Sequence, residues 1–505
     1  MANWTAIDRT ITIPGMRKTP PGILPVIAVD RAAAQPLHRQ IYQGYRDAIV
    51  ERRLRAGQRL PSTRALAREL SVSRVPVVSA FEQLLAEGYI ESAVGSGTFV
   101  ARTLPDDEPP RTAPGAPAVR PGPRVVSKGP AARPRDAAEP WLGGSGAFRM
   151  SEVATRHFPF GVWSSLVGRH TRNPQRSLLA YGDAMGQRPL REALAAYLRT
   201  ARAVRCEADQ IMVVSGSQQA LEIAARVLLD PGSAVCIEEP GYAGVQEVLA
   251  RAGARVVPVR VDAEGLDVDA AAARCPSPRA LYVTPSHQYP LGVTMSAGRR
   301  LQLLDWARRT GAWVLEDDYD SEYRYESQPI AALQGLDRDA RVVYIGTFSK
   351  VLFPALRVGY VVIPPDLVPR FAAVRQAMDI LSPTLPQAVL TDFLQEGHFG
   401  RHLRRMRQLY GARRDALVLA LRGEIGDALQ VQGAQAGVHL VATLARPADD
   451  RAIAERAARA GLWVMPLSSC YAGRVTRRGL VLGYGGTEAD EMAAAVGRLR
   501  RVLSA

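Results

Sequence analysis

The sequence predicts two folded units of different class, a small helical one followed by a large α/β one. Residues 103–147 are rich in proline, alanine and glycine and lack periodic apolar residues, which is typical of a linker. After this segment, short apolar stretches such as "QIMVV" and "AWVLE" alternate with amphipathic helical stretches. That alternation indicates a mostly parallel sheet flanked by helices. We therefore divide the 505 residues into an irregular leader (1–30), a small unit (31–102), the linker and a large unit (148–505).

Composition excludes several classes of protein. No apolar run approaches the ~18–20 residues that a membrane span needs, and the N-terminus lacks the pattern of a secretory signal. The four cysteines lie far apart without a C-x-x-C pair, which argues against a metal knuckle or a disulfide framework. We expect a cytoplasmic protein with no membrane contact. The formal charge of +15 suggests a polyanionic partner, although an arginine-rich genome would also produce it.

The small unit has the pattern of three helices followed by a hairpin. Helical periodicity runs through "PLHRQIYQGYRDAIVERRL", "LPSTRALAREL" and "SRVPVVSAFEQLLAEG", with Ser62 and Ser73 as candidate caps. The segment "YIESAVGSGTFVAR" then predicts two short strands around a glycine turn. A helix, a short turn, a second helix and a hairpin define a winged helix-turn-helix.

In a winged helix-turn-helix the third helix enters the major groove of double-stranded DNA with its N-terminal end. Ser73 and Arg74 would then face the bases, and Arg64 would reach phosphate or base. Gly95 and Gly97 would let the wing approach the minor groove. The alternative is a helical oligomerisation module with solvated arginines. Residues 1–102 carry 14 basic and 8 acidic side chains, a net +6 that favours DNA.

In the large unit, polar residues follow the ends of the predicted strands, where parallel sheets bind ligands. "SGSQQA" opens a helix after the first strand, so its backbone N–H groups and the Ser217 hydroxyl could hold an anion. Two further strands are followed by Asp317 and Tyr319, and by Thr347, Ser349, Lys350 and Arg357.

Lys350 is unusual because the chain otherwise avoids lysine. Only Lys18, Lys128 and Lys350 occur among the 64 basic residues. A primary amine can form a Schiff base, whereas a guanidinium cannot. A carboxylate can keep a pyridine nitrogen protonated, a tyrosine can bond a ring phenolate, and an arginine can grip a phosphate. Together these groups predict pyridoxal 5′-phosphate (PLP) as cofactor, with Lys350 as the catalytic residue. The acidic stretch "EDDYDSE" could instead be a solvated loop or a metal site, but no histidine at ligand spacing supports a metal, and we predict none.

Two family resemblances agree with this interpretation. The stretch "GQRLPSTRALARELSVSRVPVVSAFEQLLAEGYIESAVGSGTFV" resembles the DNA-binding domain of GntR-family regulators, although Val75 and Pro76 stand where many members carry polar residues. The chain from Phe148 onward resembles fold-type I aminotransferases. The latter resemblance implies a mostly parallel sheet with flanking helices and a smaller α+β C-terminal subdomain.

The aminotransferase resemblance also assigns roles to particular residues. Tyr242 in "EEPGYAGV" would stack on the ring, and His287 or Gln288 in "TPSHQYPLG" would replace the family's asparagine near the ring oxygen. Tyr181 in "YGDAMGQRPL" would reach the phosphate bound by a partner subunit. The full set of expected cofactor contacts is Ser217, Gln218, Tyr242, His287, Asp317, Tyr319, Thr347, Ser349, Lys350, Arg357 and Tyr181.

One position departs from the aminotransferase pattern. Aminotransferases hold the substrate α-carboxylate with an arginine in a segment like "LRLGF", but this chain reads "GLVLGYG" with Val481 at that place. Arg474, Arg477 or Arg478 could compensate. The resemblance therefore implies that a standard α-amino acid binds poorly or differently.

The combination of both units resembles the MocR group of bacterial transcription regulators. It implies a homodimer, with DNA-binding domains swapped between subunits, that binds a DNA operator. An amine effector or PLP itself would be sensed through an aldimine at Lys350. One alternative is a working aminotransferase that carries a DNA-binding tail. Another is a regulator whose large unit no longer binds cofactor and only dimerises.

Overall fold

The computed structural model describes residues 29–31, 33–93, 97–102, 139–150, 152–325 and 330–504. These residues form two compact units, one before and one after the segment 103–138. The predicted leader up to residue 28, most of the predicted linker and Gly95 lie outside the described residues.

The small unit has the predicted order of three helices and a hairpin. Its elements are α1 (Leu37–Val50), α2 (Thr63–Glu69), α3 (Arg74–Ala86), β1 (Ile90–Ala93) and β2 (Gly97–Val100). The strands pair antiparallel. The core lies between α1 and α3, where Tyr45 meets Phe81 edge-on at 5.4 Å between ring centroids. Ser62 caps α2 as expected, because its hydroxyl accepts from the Ala65 N–H at 3.2 Å.

The large unit contains a mixed sheet of eight strands with helices around it. Its strands are β3 (Ile211–Val214), β4 (Ala234–Glu239), β5 (Arg255–Asp262), β6 (Gly265–Leu266), β7 (Ala280–Val283), β8 (Trp313–Asp318), β9 (Val342–Thr347) and β10 (Gly359–Val362). The spatial order is β3-β10-β9-β8-β7-β4-β5-β6. The five strands β5, β4, β7, β8 and β9 run parallel, while β10 is antiparallel to both of its neighbours. The predicted α/β class with a mostly parallel sheet is confirmed.

The helices of this part cover both faces of the sheet or connect its strands. They are α4 (Phe160–Arg172), α5 (Arg176–Leu179), α6 (Arg188–Arg202), α7 (Ser217–Leu228), α8 (Ala243–Arg251), α9 (Val268–Arg274), α10 (Ala297–Thr310), α11 (Leu333–Leu336), α12 (Val368–Asp379) and α13 (Thr384–Gln395). The central strands β3, β7, β9 and β10 are buried along their whole length, as expected for a sheet covered on two sides. No helix within the described part of the chain is long and apolar enough to cross a bilayer.

The C-terminal part is a smaller α+β subdomain. It consists of α14 (His398–Glu424), β11 (Leu429–Gln432), β12 (His439–Leu444), α15 (Asp450–Arg459), β13 (Met465–Pro466), β14 (Gly479–Gly483) and α16 (Met492–Ser504). Its four strands are antiparallel in the order β11-β12-β14-β13. Residues 139–147, which composition placed in the linker, belong to this unit: Trp141 is buried in its core and Ala147 bridges to Leu462.

A buried ion pair ties α6 to β8. Arg202 and Asp318 are both buried, and the Arg202 Nη2 lies 2.8 Å from the Asp318 Oδ2. The guanidinium also donates to the Ile330 carbonyl and the Ser286 hydroxyl, and Tyr344 donates to the same carboxylate oxygen at 2.6 Å. Each charge therefore has several partners, which buried charges require.

We expect Arg202→Met to destabilise the large unit by about 3–5 kcal/mol, because it leaves the Asp318 carboxylate buried without its cation. The measurement is the urea midpoint of unfolding. The control is Arg199→Met on the same helix, whose exposed pair with Glu207 contributes less than about 1 kcal/mol. Equal midpoints for the two variants would contradict the importance of the buried pair.

Candidate cofactor site and DNA-binding surface

The candidate cofactor site lies where β3, β8 and β9 end. Asp317 is near the end of β8, Thr347 ends β9, and α7 begins at Ser217 directly after β3. Since these three strands run in the same direction, their carboxyl ends meet at one edge of the sheet. The structure thus brings together polar residues that stand up to 130 positions apart in the sequence.

Asp317 offers a buried acceptor. Its Oδ2 accepts from the Tyr282 hydroxyl at 2.9 Å, whereas its Oδ1 is buried and has no partner among the described residues. Burial raises the pKa of Asp317 to about 7, and hydrogen bonds from Tyr282 and Ser217 oppose that rise. An unpaired buried carboxylate oxygen is the group expected opposite a protonated pyridine nitrogen.

Lys350 supplies a half-buried primary amine. Its Nζ donates to the Met150 carbonyl at 3.2 Å. Burial lowers the pKa of Lys350, and the nearby Asp320 charge partly opposes that effect. A lowered pKa increases the fraction of neutral amine, which is the nucleophilic form.

An anion-binding corner lies at the start of α7. Gly216 has a φ of +120°, and a Cβ built on it would lie 3.1 Å from the Arg357 Nη2. Arg357 itself has no ion-pair partner within the described ranges. Thr347 donates to the Ser349 hydroxyl at 3.0 Å on the neighbouring strand end. A free guanidinium, two hydroxyls and a helix N-terminus fit a phosphate.

Tyr242 is positioned by Gln218 beside this corner. The Tyr242 hydroxyl donates to the Gln218 Oε1 at 3.2 Å, and the Gln218 Nε2 donates to the Gly244 carbonyl at 3.0 Å. The ring passes so close to Gly244 that a Cβ there would lie 2.4 Å from it. The structure therefore places Gln218 as the support of the Tyr242 ring.

Of the two candidates for the missing asparagine, His287 has the free nitrogen. Its Nδ1 lies 3.0 Å from the Asp320 Oδ1 and 3.0 Å from the Tyr319 hydroxyl, and its Nε2 is buried without a partner among the described residues. Gln288 instead donates to the Pro240 carbonyl at 2.9 Å and makes a contact of 3.3 Å with Glu238.

Sequence reasoning missed two residues of this site, Asp320 and His439. Asp320 belongs to the acidic stretch already noted, but nothing in its spacing showed that it would pair with His287. His439 comes from β12, and its ring centroid lies 5.0 Å from that of His287. The three side chains also bring ligand atoms within 4.8 Å of one another, a grouping that the expectation of no metal did not foresee.

Three other sequence-predicted residues lie outside this cluster. Tyr181 is 86% exposed on the surface of the subunit. Val481 is completely buried. Of the arginines that could compensate for it, Arg478 pairs with Asp450 at 3.3 Å. Arg477 donates weakly to the Val261 carbonyl at 3.4 Å, and Arg474 is exposed.

The candidate DNA-binding surface is the exposed N-terminal end of α3. Ser73, Arg74 and Arg64 are all exposed, and the Arg74 Nε donates to the Thr63 hydroxyl at 3.3 Å. Ser73 occupies the N-cap position of α3, but its hydroxyl makes no capping hydrogen bond. Val75 is 76% exposed beside Arg74, so the helix presents an apolar group to the groove as well.

At the wing, Gly97 has a φ of +111°, and a Cβ on it would lie 3.1 Å from the Arg59 Nε. Arg59 therefore sits directly against the wing, a position that sequence reasoning missed.

Comparison with known proteins agrees with both units. Residues 160–499 match the family "Aminotransferase class I and II", and residues 37–100 match "Bacterial regulatory proteins, gntR family". The chain is 41% identical over 482 residues to the probable rhizopine catabolism regulatory protein MocR of Rhizobium meliloti, covering 95% of this chain and 96% of that protein. It is 30% identical over 459 residues to the pyridoxine biosynthesis transcriptional regulator PdxR of Corynebacterium glutamicum, covering 90% and 93%.

Among solved structures, the large unit resembles the kynurenine aminotransferase of Pyrococcus horikoshii crystallised with PMP, kynurenine and its product. The TM-score is 0.68 at 27% identity, over 75% of this chain and 95% of that one. Fold and site thus define a DNA-binding protein built on a PLP-dependent aminotransferase scaffold. The chain belongs to the MocR-type transcription regulators, in which a GntR helix-turn-helix is fused to a class I aminotransferase domain.

We expect Gly216→Ala to weaken PLP binding by about tenfold or more. The added methyl would push the Arg357 guanidinium away from the helix N-terminus, and a lost charge-assisted contact costs about 1.5–3 kcal/mol. Titration of the apo-protein with PLP, followed by the visible absorption band, measures the effect. Gly232→Ala is the matched control, because Gly232 also has a positive φ but has open space around its Cβ position. Equal PLP affinities for both variants would remove Arg357 from the phosphate site.

We expect Arg74→Ala to weaken binding to an operator selected from random DNA by about tenfold, because one base or phosphate contact contributes ~1–3 kcal/mol. The PLP band should not change. Fluorescence anisotropy with labelled DNA measures the affinity. Arg53→Ala, which removes an equal charge from a side chain paired with Glu51, serves as control. An unchanged operator affinity for Arg74→Ala would place the DNA contact elsewhere.

Proposed function

We propose that this protein is a homodimeric, PLP-binding transcription regulator that senses an amine effector or PLP at Lys350. The observation that carries the proposal is a complete set of cofactor-binding groups around Lys350 in a chain whose other unit is a winged helix. The position of the substrate-carboxylate arginine, by contrast, is occupied by Val481. Cofactor binding is retained while the grip on an amino-acid substrate is not.

Bound PLP supplies an aldehyde that reacts reversibly with primary amines. Lys350 provides the amine that holds it, and Asp317 would keep its ring nitrogen protonated. Arg357, Ser349 and the N-terminus of α7 would hold its phosphate, and His287 would face its ring oxygen through the free Nε2. The remaining residue of this set, Tyr242, would cover the ring.

The contact between Lys350 and Met150 supports a route from this site toward the DNA-binding unit. Met150 lies in the segment with which the large unit begins after residue 138, and its carbonyl accepts from the Lys350 amine. The same segment bridges to β14 through Phe148 and Gly483. An amine effector that competes for the cofactor would release Lys350 toward the Met150 carbonyl. Occupancy of the site would thus be felt where the chain enters the large unit.

Exposed apolar residues support the homodimer. Phe160, Leu179 and Tyr181 are 52%, 74% and 86% exposed, although large apolar side chains are normally buried. A partner subunit would cover them, and Tyr181 would then reach the partner's phosphate site. A flexible linker of this length spans on the order of 35–40 Å, enough for each DNA-binding unit to lie under the partner's large unit and for two half-sites ~34–36 Å apart.

We expect Lys350→Ala to bind the selected operator as the wild type does, but to lose the change in operator affinity that added PLP causes in the apo-protein. The reason is that PLP contacts other residues but reacts only with the Lys350 amine. Anisotropy titrations with and without PLP measure this. Lys350→Arg keeps the charge and serves as the control, because it should lose the response equally. An unaltered response in either variant would separate sensing from the primary amine.

A further inference from the structure

We propose that the effector is a hydroxyl-bearing primary amine without a carboxylate next to the amine, and that Val481 and His439 select it. The inference rests on the proposed function and names its ligand class. It comes from the face that β12 and β14 turn toward the candidate site.

Val481 makes this face apolar where a carboxylate would lie. It is completely buried in the middle of β14, paired across the sheet with Val441 and Met465. Leu291, Val261 and Leu467 complete the apolar cluster around it. A carboxylate placed here would lose its hydration without gaining a cation or a donor, which is strongly unfavourable.

The neighbouring arginines do not replace the missing cation. Arg474, Arg477 and Arg478 are all exposed on the loop before β14, and the Arg478 guanidinium is held by Asp450. Asp450 is fully buried and also accepts from the N–H groups of Ser468 and Gly479. Moving Arg478 into the site would leave that buried carboxylate without its cation, so the pair keeps it on the outside.

His439 gives the same face one polar group, and that group is neutral. His439 lies two residues before Val441 on the same side of β12 and is 1% exposed. Its Nε2 lies 3.1 Å from the Pro290 carbonyl, which can only accept, so Nε2 carries the proton. Burial lowers the pKa of His439 well below its usual range, and the positive charge of Lys350 adds to this effect. The ring is therefore uncharged at neutral pH.

In an uncharged ring protonated at Nε2, the Nδ1 is a hydrogen-bond acceptor. This atom is buried and has no partner among the described residues. It suits a hydroxyl or amine N–H and repels a carboxylate, which can only accept. The rings of Tyr289 and Tyr319 lie 5.7 and 6.4 Å from His439 between centroids, so the surroundings are aromatic and polar. These features together favour an amino alcohol or amino polyol.

Serinol and L-serine test this selection, because they share a carbon skeleton and differ in a CH2OH or a carboxylate beside the amine. Each is titrated into the PLP-loaded full-length protein while the visible absorption band is followed. We expect the wild type to respond to serinol at a concentration at least about tenfold lower than to L-serine. Val481→Arg should reverse this order. Thr476→Arg, which adds the same charge on the exposed loop, should keep the wild-type order.

His439 is tested by His439→Leu, which removes the acceptor, and by His439→Asn, which restores one. Serinol should bind less tightly to His439→Leu, and His439→Asn should recover part of the difference. A wild type that responds better to L-serine, or to neither compound while PLP is bound, would overturn the proposed effector class. Either result would leave PLP-dependent operator binding intact, so the proposed function is judged separately.

Discussion

A lysine amine that is half-buried beside buried acidic groups is the constraint on which the rest of the large unit depends. Desolvation would expel such a charge, so the fold must surround it with acceptors or release its proton. The structure uses the Met150 carbonyl and the Asp320 carboxylate for this purpose. Only the shared edge of parallel strands brings these groups to one place, together with Asp317 from β8.

The residues that would hold the cofactor and those that would select its amine partner lie on different elements. Asp317, Ser349, Lys350 and Arg357 belong to the ends of the large sheet. Val481 and His439 belong to the antiparallel sheet of the C-terminal subdomain. Because the two sets are separate, a substitution at Val481 changes ligand choice without disturbing the cofactor contacts. This separation explains how a scaffold shared with aminotransferases can serve as a sensor.

Much of the fold and part of the site could be predicted from the sequence. Alternation of strands and helices indicated the mostly parallel sheet, and the scarcity of lysine pointed to Lys350. His439 could not be predicted, because it meets His287 across more than 150 residues and follows no spacing rule. The choice between His287 and Gln288 also needed the structure, since only hydrogen-bond geometry shows that Gln288 is already engaged. Arg59 was missed because its contact with Gly97 depends on the turn of the wing.

The partner-dependent features were predictable only as expectations. Tyr181 is a surface residue within one subunit, and its proposed role concerns the phosphate site of another. Physical reasoning links its exposure to that of Leu179 and Phe160, which form one stretch of chain with it. The sequence signal for dimerisation is thus a set of large apolar residues that one subunit does not bury.

The central claim is that PLP chemistry in this protein serves to report an amine rather than to convert it. The most direct measurement follows operator anisotropy and carbonyl product in the same sample as serinol is added to the PLP-loaded protein. The account predicts that the anisotropy change saturates when one serinol is bound per Lys350, with no more than one product molecule per site even when a keto acid is present. Sustained formation of product over many turnovers, with operator binding unchanged, would contradict it.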